Sequence, residues 1–223
     1  MLSDPRPFIV VLAGVNGAGK SSVGGTILAT HGLSFFNPDT MARRIVAQTG
    51  MGAEAADVRA GRQGLSNLRQ AIADETSYAF ETTLSGNAIP SLLLKAAATH
   101  RIIMLYCGLE TVELHLRRVA QRVAFGGHAI PEAKIRERWV TSRANLVRIL
   151  PVISHLQLFD NSFTVGAGDD IPPARLVLEM RDREIFVPPA GDWAALASIP
   201  NWAKPIFQAA RDLAKGPGGA EKA

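Results

Sequence analysis

The stretch Gly14-Val15-Asn16-Gly17-Ala18-Gly19-Lys20-Ser21 constrains the fold more than any other part of the chain. An apolar run, Phe8 to Ala13, precedes it, and Ser22 to Ala29 continues as a helix, so strand, glycine-rich turn and helix stand in a fixed order. Glycines allow the backbone to curl with its N–H groups pointing inward, and the helix N-terminus adds its dipole at the same point, which together make an anion cradle. In such a cradle Lys20 reaches the β and γ phosphates of a nucleotide and the Ser21 hydroxyl ligates Mg²⁺, while Gly14, Asn16, Gly17, Ala18, Gly19 and Ser22 complete the ATP-binding set. The alternative is an ordinary glycine-rich turn with a surface lysine; the order of the flanking segments disfavours it.

The rest of the chain suits one α/β domain. At 223 residues and 47% hydrophobic it can bury a substantial core. No apolar run is long enough to span a bilayer and the first residues lack a signal-peptide pattern, which places the expected protein in the cytoplasm. Its single cysteine, Cys107, ends an apolar run and reads as a buried inert thiol. The net charge of +4 comes with arginines spread over several segments and only 6% aromatics, which argues against a nucleic-acid surface and for Arg as a clamp on a small polyanion.

Leu33 to Asn37 reads as a short strand ended by Pro38, and Asp39 heads a helix over Thr40 to Gln48. The C-terminal ends of parallel strands share one sheet edge, so topology brings Asp39 toward the phosphate loop, where it can act as general base. It can equally be the N-cap of its helix. Residues 53–75 carry apolar side chains at helical spacing, with Gly61 and Gly64 expected to weaken or split the helix. Ser77 to Phe80 reads as a strand that delivers Glu81, Thr82 and Thr83 at its end, either as hydroxyl- or metal-water-binding groups or as a plain polar strand end. After a helix over Ala88 to Ala98, Arg101 to Cys107 is the clearest buried strand. Helices over Val112 to Phe125 and Pro131 to Ile149, joined at Gly126-Gly127-His128, carry many arginines and read as a lid. Solvated helix faces are the alternative for any one arginine, but among Arg118, Arg122 and Arg138 at least one is expected on phosphate. Leu156 to Phe159 is a last core strand, followed by Asp160-Asn161-Ser162. Arg175 to Met180 and Glu184 to Val187 suggest a hairpin, then helical segments near Trp193 and from Trp202 to Leu213, then a frayed Gly/Lys-rich end.

Taken as an ordered set, Gly14 to Ser22, Asn37-Pro38-Asp39, Phe80-Glu81-Thr82-Thr83-Leu84-Ser85-Gly86, Gly126-Gly127-His128 with Ile130-Pro131, and Asp160-Asn161-Ser162 resemble the zeta-toxin-like P-loop kinases, whose founding members phosphorylate UDP-N-acetylglucosamine on a sugar hydroxyl. The resemblance covers roughly residues 8 to 163. It implies an α/β P-loop kinase fold with a central parallel sheet; together with the residue reading above, the expected division is a core over 1–165, including a helical lid at about 117–148, and a small C-terminal extension over 166–223 packed on the core. It further implies ATP with Mg²⁺ at Lys20 and Ser21, Asp39 as general base, and Glu81 with Thr83 as the acceptor-binding pair in a nucleotide-sugar pocket. Of the family's two phosphate-gripping arginines the second falls near His128, which joins the acceptor-binding set, leaving Arg118, Arg122 and Arg138 as substitutes. The Gly-Gly-His spelling looks like a chromosomal branch, and an antitoxin, in such systems a separate polypeptide, is a partner the resemblance allows. Rival readings are a kinase of another small metabolite, an ATP-driven switch without a small acceptor, and a pseudoenzyme that binds nucleotide only. The switch reading lacks an apolar strand ending in an acidic pair and a full signature helix.

Overall fold

The chain is seen in a computed structural model that describes residues 5–125, 127, 129–163 and 172–216. Six strands, β1 (Phe8–Ala13), β2 (Tyr78–Thr82), β3 (Arg101–Gly108), β4 (Ile153–Asp160), β5 (Arg175–Arg181) and β6 (Glu184–Val187), form one sheet in the order β2-β1-β3-β4-β5-β6. The first four pair in parallel, and the β5–β6 hairpin extends the sheet antiparallel from β4. The helices are α1 (Lys20–Thr30), α2 (Pro38–Thr49), α3 (Ala53–Ala73), α4 (Ala88–Ala96), α5 (Val112–Ala124), α6 (Glu132–Ile149), α7 (Trp193–Ala197) and α8 (Lys204–Lys215).

Because successive strand residues point to opposite faces, each parallel strand is apolar on both sides and the sheet is a layer between two cores. On one face Ile9, Val11, Met104, Leu156 and Leu158 meet Leu68 of α3, Leu93 of α4, Leu146 of α6 and Ile206 of α8. On the other, Val10, Leu12, Leu105 and Cys107 meet Leu28 of α1 and Leu114 of α5. Burial pushes the Cys107 thiol up to about 12, so it stays protonated at neutral pH. Among the described residues no helix is long and apolar enough to cross a membrane.

Three local expectations change in the fold. The apolar run at 33–37 makes only an isolated bridge, Phe36 to Phe80, because Pro38 begins α2 and leaves Phe36 alone to pair with β2. Helix α3 is continuous over 21 residues despite its two glycines, since Gly64 is where the Phe36 ring packs. The N-cap of α2 is Asn37, whose Oδ1 accepts from Thr40 N at 3.0 Å, so Asp39 lies in the first turn and its side chain is not used for capping. Gly126 and His128, residues 164–171 and the Gly/Lys-rich end after Gly216 lie outside the described residues.

Candidate active site at the phosphate loop

The loop from Gly14 to Gly19 leaves β1 and enters α1 through a left-handed turn. Gly14 has φ +135° with its Cα against the Cys107 carbonyl, and Gly19 has φ +83° against the Asn161 amide; a side chain at either place would collide. With glycine at the N-cap, the first turn of α1 has no side-chain cap, which leaves its positive dipole end turned to the loop interior. Three contacts from distant parts of the chain hold the loop from outside. His115 of α5 bonds the Asn16 carbonyl through Nδ1 at 2.8 Å, Asn161 donates to the Ala18 carbonyl at 2.9 Å, and Arg138 of α6 donates to the Asn16 side chain at 2.7 Å. Burial drives the His115 pKa down to about 4, and Lys20 and Arg118 add to the effect, so its ring is neutral and Nδ1 carries the proton toward Asn16.

A carboxylate faces the cradle from the neighbouring strand. Glu81 is buried; its Oε2 accepts from Ser21 Oγ at 2.6 Å and from Asn37 Nδ2 at 3.0 Å, and its Oε1 lies 3.4 Å from Lys20 Nζ. The parallel pairing of β1 with β2, which sets Leu12 opposite Glu81, fixes this proximity. Glu81 is therefore turned to the lysine and serine of the loop as much as to the cavity beyond it. Among the described residues no group of three His, Cys, Asp or Glu side chains could hold a metal alone. The Ser21 hydroxyl and Glu81 carboxylate are hard oxygen donors that suit Mg²⁺, an ion that keeps waters and takes further ligands from substrate phosphates.

A cavity of about 620 Å³ opens beside the loop, and Lys20, Asp39, Glu81, Thr83, Arg122 and Arg138 all line it. Asp39 is paired loosely with Arg122, Oδ2 to Nη1 at 3.5 Å, and stays half open to solvent. Thr83 shares a hydrogen bond with Ser85 at 2.9 Å, in a turn fixed by Asn145, which donates to the carbonyls of Leu84 and Gly86. Burial lowers the Arg138 pKa, with Asp39 and Asp57 opposing that fall, but a guanidinium stays charged throughout the physiological range.

The arginines expected on a lid separate in the fold. Arg122 and Arg138 reach the cavity, whereas Arg118 donates to the Phe163 carbonyl at 2.8 Å and lies over the Phe163 ring at 5.8 Å, away from Asp39. His128, expected at the acceptor, lies outside the described residues. Asn37, His115 and Asn161 were missed as site residues: Asn37 and Asn161 stand in the Asn37-Pro38-Asp39 and Asp160-Asn161-Ser162 motifs without a role assigned to them, and no motif marks His115. Lys134, a further cation on the cavity wall, carried one signal: it precedes Arg138 by four residues and so shares its helix face.

No known family model matches the chain. An uncharacterized protein of Haemophilus influenzae is 31% identical over 137 residues, an alignment covering 58% of this chain and 91% of that protein. Among solved structures, that of AvrRxo1-ORF1:-ORF2 with ATP superposes with a TM-score of 0.60 at 18% identity, over 88% of this chain and 64% of that one. The PezAT chromosomal toxin-antitoxin system of Streptococcus pneumoniae gives 0.53 at 13% identity, over 71% and 69%. The likeness establishes the fold, the α/β P-loop kinase fold with its central sheet flanked by helices. The chain spans about 64% of the length of the chain it matches in the AvrRxo1-ORF1:-ORF2 structure.

Proposed function

We propose, for a chain that belongs to the same family as the Haemophilus influenzae protein and carries the P-loop kinase fold, that it transfers the γ-phosphoryl group of ATP to a hydroxyl of a nucleotide sugar such as UDP-N-acetylglucosamine. The observation that carries the proposal is a single cavity lined by the loop lysine Lys20, by the carboxylates Asp39 and Glu81, and by Arg122 and Arg138. A phosphate cradle alone would serve any nucleotide binder; a carboxylate and two arginines in the same cavity add what transfer requires. The crystallised AvrRxo1-ORF1:-ORF2 pair with ATP supports ATP as donor.

The chemistry divides among residues of this chain. Loop N–H groups and Lys20 hold the β and γ phosphates. Asp39 takes the proton of the acceptor hydroxyl while its oxygen forms the new bond to the γ phosphorus and the bond to the ADP oxygen breaks. Arg122 and Arg138 offset the charge spread over the moving group. Mg²⁺, held by Ser21 with Glu81 behind it, would neutralise phosphate charge when bound. Thr83 offers a hydroxyl to the acceptor. The half of the cavity opposite the loop is where the sugar fits, and helices α5 and α6 form the lid over the site. A protein partner of the antitoxin kind belongs to the same reading, supported by the likeness to the PezAT toxin-antitoxin system and by the two-protein AvrRxo1-ORF1:-ORF2 assembly.

The test is transfer itself. Incubation with ATP, Mg²⁺ and UDP-N-acetylglucosamine should yield a product heavier by one phosphate. Asp39→Asn should lower the rate by about 10²–10⁴-fold, the usual range for removing a general base, with ATP affinity unchanged. Undiminished transfer by that variant removes Asp39 from the mechanism.

A further inference from the structure

Helix α3 presents one face to the cavity through Glu54, Asp57, Val58, Gly61, Gly64 and Leu65, spaced three and four apart. The two glycines on that face differ in kind. A Cβ at Gly64 would come within 2.8 Å of the Phe36 ring, so packing accounts for its lack of a side chain. A Cβ at Gly61 would meet nothing within 4 Å. Glycine inside a helix destabilises it relative to alanine, and no neighbour of Gly61 explains that loss. The space beyond its Cα is the cavity itself.

The cavity walls also differ in charge. Lys20, Arg122, Lys134 and Arg138 lie on the side of the loop and of α5 and α6, where Glu81 pairs with Lys20 and Asp39 with Arg122, so that Lys134 and Arg138 add cationic charge beyond those two pairs; Glu54 and Asp57 lie on the α3 side. An anionic moiety is favoured against the first wall and repelled by the second, whereas hydroxyl or amide N–H groups find carboxylate acceptors on the second.

We infer that Gly61 is a specificity-determining residue: it keeps the α3 wall open for a neutral, hydroxyl- or amide-bearing ring of the acceptor, the acceptor's phosphates lying toward Lys134 and Arg122. The inference rests on the proposed acceptor class and adds to it the orientation of that acceptor and the residue that admits its ring. Acceptors bearing a further phosphate on that ring are excluded by Glu54 and Asp57.

The experiment is calorimetric titration of the full chain, wild type, Gly61→Leu and Gly61→Gln, with UDP-N-acetylglucosamine and separately with ATP, alongside Tm measurements. Both variants should weaken UDP-N-acetylglucosamine by about tenfold or more, the scale on which pocket volume discriminates, while ATP affinity stays within about twofold. Tm should hold or rise, since either residue is a better helix former than glycine; if leucine lowers Tm, glutamine, whose polar end suits a partly solvated cavity wall, carries the comparison. Unchanged acceptor affinity in the two variants overturns the role of Gly61 and leaves the acceptor class standing. A wild type that binds ATP and not UDP-N-acetylglucosamine removes the acceptor class, and this inference with it.

Discussion

Glu81 and Glu179 are both strand carboxylates with 8% of their surface exposed, and both are paired with cations, yet their surroundings lead to opposite conclusions. Glu179, in the middle of β5, accepts from Arg181 at 2.6 and 3.0 Å, from His155 at 2.9 Å and from Gln157 at 3.3 Å. All its partners belong to β4 and β5, and burial, which would raise its pKa, is outweighed by Arg181 and His155, which hold the carboxyl below its ordinary range. Glu81 is held by Lys20, Ser21 and Asn37, and it lines the 620 Å³ cavity. A buried, paired carboxylate is thus not in itself a sign of chemistry; two of the partners of Glu81 are the residues a nucleotide's phosphates would recruit, whereas those of Glu179 complete a closed network.

Substitution should separate the two directly. Glu81→Gln keeps the shape but removes the charge between Lys20 and the Ser21 hydroxyl, and phosphoryl transfer should fall by about 10²-fold or more, with a modest change in Tm. Steady-state rates with ATP and UDP-N-acetylglucosamine measure it. Glu179→Gln should do the reverse, losing about 2 kcal/mol in a urea titration because Arg181 and His155 are left without their acceptor charge, with transfer rates unchanged. Loss of transfer in the Glu179 variant with wild-type rates in the Glu81 variant would invert the comparison.

What the sequence revealed follows the same division. The phosphate loop is local: strand, glycines, lysine and helix lie within 23 residues and their order can be read directly. Asp39 was legible because a parallel sheet gathers its strand ends at one edge, although Asn37 took the capping role expected of Asp39. The supports of the loop were not legible. His115 and Asn161 bond the carbonyls of Asn16 and Ala18 across 99 and 143 residues, and an ordinary helix face and an ordinary turn give no hint of either. The arginines show the limit most plainly: Arg118 and Arg122 are one helical turn apart on α5, and only packing decides that one meets Phe163 and the other Asp39. Glu81 was marked in the sequence by its place at a strand end before Thr82 and Thr83, but its closure on Lys20 and Ser21, and the closed network around Glu179, are products of packing.

Acid sharpens the contrast with the smallest effect, because each region loses stability in its own pH window. His115, beneath the phosphate loop, has its pKa lowered from 6.5 to about 4, chiefly by burial. Between those values the unfolded chain binds a proton that the folded chain does not, so the stability difference is fully present above 6.5 and is lost as pH falls toward 4, by no more than about 1.4 kcal/mol per pH unit. Glu179 is lowered from 4.5, so its contribution is intact above that value and disappears only in more acidic solution. Urea midpoints from pH 7.5 to 3 should therefore show two successive declines. His115→Gln, able to keep a bond to the Asn16 carbonyl, should flatten the first and leave the second; Glu179→Gln should flatten the second alone. If both variants flatten the same window, the loop support and the β4–β5 network titrate as one unit and the two regions are not electrostatically separate.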